Sequence, residues 1–99
     1  MQKKTLEERN ERVRKIIEEE IGDKYSVFFR KSNVSNSYYY IIGKNNSKIT
    51  LRFSDHKSKT MKSFDLSRRV KPEAVHRYVR RKIKALEILN VNNLMSQLI

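Results

Sequence analysis

Two runs of strand-forming residues, 37–43 and 48–54, flank the pair Asn45-Asn46. Asparagine tolerates positive φ, so this pair can supply the two central residues of a type I′ hairpin turn. With that loop, Lys44 faces Ser47 and opposing positions sum to 91. Ile42 then lies opposite Ile49, Tyr40 opposite Leu51, and Tyr38 opposite Phe53. These six residues make one apolar face, assigned to the core. Tyr39 opposite Arg52, Ile41 opposite Thr50, and Gly43 opposite Lys48 make the other. A slip of one residue would exchange the two faces, so the apolar pattern and the turn must agree on register.

Other segments fall around this hairpin. Thr5 and Glu8 have the spacing of a capping box, in which each side chain meets the other residue's amide. Leu6, Val13, Ile16, Ile17 and Ile21 recur on one helical face. Gly22 suits the left-handed position that closes a helix, so the spacing predicts a helix from Thr5 to Ile21. The β-formers of Tyr25 to Arg30 predict a strand. Met61 to Leu66 is a candidate fourth strand at an edge, with Phe64 and Leu66 inward. Pro72 fits a first helical turn, where its missing amide costs least. Val75, Val79, Ile83, Leu86 and Leu89 then predict a long helix to about Leu89. A break is expected at Asn90, Asn92 and Asn93. The apolar end from Asn93 to Ile99 reads either as a cap on the core or as an exposed patch. In the second case Leu94, Met95, Leu98 and Ile99 would join a homodimer. The order α-β-β-β-(β)-α predicts a single α+β domain over 1–99. Its antiparallel sheet of three to four strands is flanked by an N-terminal and a long C-terminal helix.

Charge narrows the function. The chain of 99 residues carries 23 Lys and Arg against 11 Asp and Glu, a net of +12. Residues 1–22 hold six of each sign, so the whole excess lies beyond the first helix. Such a concentration points to a polyanionic partner, nucleic acid or a nucleoprotein complex. Membrane headgroups and acidic proteins are the other polyanions it fits. Cysteine is absent and only two histidines occur, which excludes disulfide scaffolds, thiol nucleophiles and the usual zinc sites. No cofactor is expected. No apolar run approaches a membrane span, and the charged start does not read as a signal peptide. A cytoplasmic protein is the expectation.

The second helix carries a basic stripe. Arg77, Arg80, Arg81 and Lys84 fall at i, i+3, i+4 and i+7, away from Val75, Val79 and Ile83. Guanidinium groups in such a line can track phosphates, and Arg68, Arg69 and Lys71 would extend them. The competing reading is a solvated helix face. On the hairpin, Tyr39 beside Arg52 and Lys48 could hold a single strand by stacking and phosphate contact. Consecutive tyrosines are also ordinary sheet residues. Asp55-His56 is the one adjacent acid–imidazole pair. With Lys57 or Lys59 it could serve a nuclease, but no nucleophile accompanies it. His76 beside the stripe fits a phosphate contact or plain surface. A non-enzymatic binding module is therefore expected.

Two likenesses add context. The order α-β-β-β-α resembles the double-stranded-RNA-binding domain, with Arg68, Arg69 and Lys71 near the place of that family's lysine-rich cluster. This is an analogy of topology. Residues 37–42, SYYYII, followed by 49–56, ITLRFSDH, resemble a hairpin of small phage and mobile-element proteins. The Asn-, Lys- and Ile-rich usage fits a low-GC bacterial or phage source. That resemblance implies a small basic protein that binds DNA or blocks host defence nucleases. Anti-CRISPR proteins belong to that setting, so an inhibitor of a host nuclease or nucleoprotein complex is the alternative function. It assigns no residue a role.

Overall fold

The computed structural model describes residues 6–32, 36–55, 64–66 and 71–97. Helix α1 runs over Leu6–Ile21, followed by β1 (Ser26–Lys31), β2 (Ser37–Lys44), β3 (Ser47–Ser54), β4 (Phe64–Asp65) and helix α2 (Pro72–Gln97). The strands lie in one sheet in the order β1-β2-β3-β4. This is the expected α+β layout.

The hairpin register is the one the turn predicts, from Lys44 opposite Ser47 to Ser37 opposite Ser54. The turn type differs. Among the described non-glycine residues, only Asn45 has positive φ, at 55°. A type I′ turn needs positive φ at both central residues; one positive residue in first place is the sign pattern of type II′. The loop length, and hence the register, is the same for both.

Strand β1 pairs antiparallel with β2, Phe28 opposite Ile41 and Arg30 opposite Tyr39. Strand β4 is parallel to β3, so the sheet is mixed rather than wholly antiparallel. Two residues carry too little pattern to reveal strand direction. Phe64 is half-buried against Phe53 and Tyr78, at ring distances of 5.6 and 5.3 Å, and Leu66 is buried. The expected start of this strand, 61–63, lies outside the described residues.

Both helices cover the same sheet face. Val13, Ile16, Ile17 and Ile21 of α1 and Val75, Tyr78, Val79 and Leu86 of α2 close on Tyr38, Tyr40, Ile42, Leu51 and Phe53. Ile49, the sixth residue of the expected apolar face, is half-buried at its margin. Gly22 ends α1 at φ +53°, its amide donating to the Glu18 carbonyl at 3.1 Å. Thr5, the proposed cap, lies outside the described residues.

Helix α2 does not break at its asparagines but continues to Gln97. Asn90 is buried, and its Oδ1 accepts from Asn45 Nδ2 at 3.0 Å. Asn93 Nδ2 donates to Ser47 Oγ at 2.8 Å. Asparagine disfavours helix interiors because its amide competes for local backbone bonds. Here both amides are engaged across the hairpin tip. Leu94 and Met95 are exposed and do not cap the core, while Leu98 and Ile99 lie outside the described residues.

Candidate nucleic-acid interface

The apolar periodicity that turns Val75, Val79 and Leu86 into the core turns Arg77, Arg80, Arg81 and Lys84 outward, and all four are exposed. They are not equivalent. Arg80 Nε donates to Glu20 Oε1 at 2.9 Å, and His76 Nδ1 lies 2.7 Å from the same oxygen. Glu20 is itself largely buried, with 15% side-chain exposure, so these contacts fasten the end of α1 to α2. His76 thus belongs to the interhelical contact. Arg77, Arg81 and Lys84 form no ion pair among the described residues. The Arg81 guanidinium lies 5.9 Å from the Tyr78 ring, and Lys82, on the neighbouring flank, 5.7 Å. These placements hold part of the basic surface in fixed positions.

Lys71 is exposed just before Pro72, at the α2 N-terminus. Arg68 and Arg69 lie outside the described residues, as does His56. Asp55 accepts from Asn36 Nδ2 at 2.8 Å, and its amide donates to the Asn36 carbonyl at 3.3 Å. Its visible work is to tie the entrance of β2 to the exit of β3.

The second expected surface, Tyr39 with Arg52 and Lys48, lies on the sheet face away from both helices. Helix and sheet candidates are therefore on opposite sides of the layered fold rather than one continuous patch. Lys48 is exposed and Tyr39 half-buried, but Arg52 is only 9% exposed. Its Nη2 donates to Ser37 Oγ at 3.0 Å, and its Nε has no hydrogen-bond partner among the described residues. The Arg52 guanidinium is 5.8 Å from the Tyr39 ring, and Arg30, on the other neighbouring strand, is 5.0 Å from it.

Arg30 and Phe28 join this face, and sequence reasoning missed both. The turn residues set β2 against β3 but say nothing of where β1 pairs. Only the β1–β2 register brings Arg30 beside Tyr39.

Near the hairpin tip, the Tyr25 hydroxyl donates to Glu87, whose carboxylate also takes Lys44 Nζ at 3.0 Å. That hydrogen bond, with some burial, pushes the Tyr25 phenol up to about 12. The same bond, with Lys44, holds Glu87 below its usual range. Burial raises the phenols of Tyr40 and Tyr78.

No group of three His, Cys, Asp or Glu among the described residues could hold a metal ion. None of their helices is long and apolar enough to cross a membrane. Comparison with protein-family models, curated proteins and solved structures found no match for this chain.

Proposed function

We propose that the chain is a small non-enzymatic module that binds nucleic acid through the phosphate backbone. The carrying observation is the row Arg77, Arg81 and Lys84, exposed on one face of α2 with no carboxylate paired to any of them among the described residues. Unpaired cations in line along a rigid helix meet phosphates without first breaking internal ion pairs. Arg80 contributes less, because Glu20 already holds it. Lys71 extends the row at the helix start. Phosphate contacts give affinity and orientation but no sequence readout, so binding through this face tolerates many sequences.

The test is fluorescence anisotropy with labelled duplex DNA and duplex RNA. The reading expects the triple change Arg77→Ala, Arg81→Ala, Lys84→Ala to weaken duplex binding at least about a hundredfold near physiological salt while the circular dichroism spectrum stays unchanged. Arg80→Ala should weaken binding less than Arg77→Ala and lower thermal stability more. Undiminished affinity in the triple variant would sink the assignment. Negligible binding to free nucleic acid, with tight capture of a host nuclease complex, would replace it with an anti-defence inhibitor.

A further inference from the structure

The sheet face opposite the helices has its own pattern. Three rows span β1, β2 and β3, namely Arg30–Tyr39–Arg52, Phe28–Ile41–Thr50 and Ser26–Gly43–Lys48, and a fourth, Ser37–Ser54–Asp65, lies beyond the Arg30 row. Among the described residues no helix covers this face. The middle of the three rows presents Phe28, 62% exposed. The rows on either side carry cations, Arg30 and Arg52 on one and Lys48 on the other. Strands β1, β2 and β3 contain no Asp or Glu; Asp65, on β4, lies across β3 from β1.

The aromatic groups divide the work. Tyr39 is flanked by guanidinium groups from both neighbouring strands, so its ring is already engaged. It holds Arg30 in position. Phe28 stands two residues before Arg30 on the same strand and face, about 6.6 Å along it by ordinary strand rise. An exposed phenylalanine normally finds cover in a core. Here it stands between two cationic rows, where a purely apolar partner would have to desolvate charge.

We infer that this face binds single-stranded nucleic acid, with a base stacked on Phe28 and the adjoining phosphates met by Arg30 and Lys48. The ligand is a single strand because a base within a duplex has no free face to offer. The inference rests on the nucleic-acid reading and adds a second surface to it. Duplex phosphates lie along α2, and an unpaired strand crosses the sheet on the opposite side.

The test compares a labelled oligothymidylate with an abasic oligonucleotide of equal length and charge. The wild-type chain should favour the thymidylate about tenfold, the scale of one stacked base. Phe28→Ala should erase that preference and leave the abasic affinity unchanged. Phe28→Tyr, which keeps a ring, should retain it and guards against loss of fold. Arg30→Ala should weaken both probes and lower the salt slope by about 0.7. A preference that survives Phe28→Ala, or equal wild-type affinity for both probes, overturns the inference. The triple α2 variant separates it from the first reading. That variant should bind duplex far more weakly but keep the thymidylate preference. Normal duplex binding with equal oligonucleotide affinities would overturn the sheet site alone.

Discussion

Tyr40 is 1% exposed, and its hydroxyl donates to Asn10 Oδ1 at 2.9 Å. Asn10 is itself buried on α1. A buried amide that loses its donor pays the desolvation cost in full. Tyr40→Phe should therefore cost about 1–3 kcal/mol in urea unfolding. No change in midpoint would show that Asn10 finds another partner. The Tyr25–Glu87 contact makes a pH prediction. The Tyr25 phenol is raised from 10.0 to about 12, so its stabilising share is full below pH 10 and is lost as pH rises through about 12. Glu87 is lowered, so its share is present above the ordinary carboxylate range and is lost as pH falls below it. In thermal melts, Tyr25→Phe should lie below wild type at neutral pH, and the gap should close between pH 10 and 12. A gap unchanged through that window would contradict the assignment. Neither pair was legible in the sequence. Asn10 and Tyr40 lie 30 positions apart, and Tyr25 and Glu87 lie 62, with no local pattern linking them.

Among the elements, the β2–β3 hairpin was the most legible, since side-chain alternation and a two-residue loop specify one register together. Helix α2 was legible where apolar residues recur and illegible where asparagines begin. Its continuation depends on the hairpin tip supplying partners for Asn90 and Asn93. The two faces of α2 also predict different costs. Leu86 is fully buried, so Leu86→Ala should cost about 2–5 kcal/mol. Ile88, two residues on and 56% exposed, should cost within about 0.5 kcal/mol when changed to Ala. Chemical denaturation of both variants checks the contrast; equal losses would mean that the outer face of α2 is covered. The basic stripe was visible as spacing, but its inequality was not. Glu20 reaches Arg80 from another helix, so only tertiary packing separates it from Arg77, Arg81 and Lys84.

For the molecule as a whole, the acid–base balance of residues 1–22 and the excess beyond them have a structural counterpart. Helix α1 turns its buried side to the core and lends Glu20 to α2, while α2 and the sheet face outward with cations on opposite sides. The α+β class followed from element order alone. The division into two basic surfaces did not, because it depends on both helices choosing the same sheet face. The most direct test of the account is the salt dependence of duplex binding, measured for wild type and for the Arg77→Ala, Arg81→Ala, Lys84→Ala variant. Each duplex phosphate neutralised contributes about 0.9 to the log–log slope, so three contacts should separate the two slopes by about 2.7. Coincident slopes, or no duplex binding by the wild-type chain near physiological salt, would contradict it.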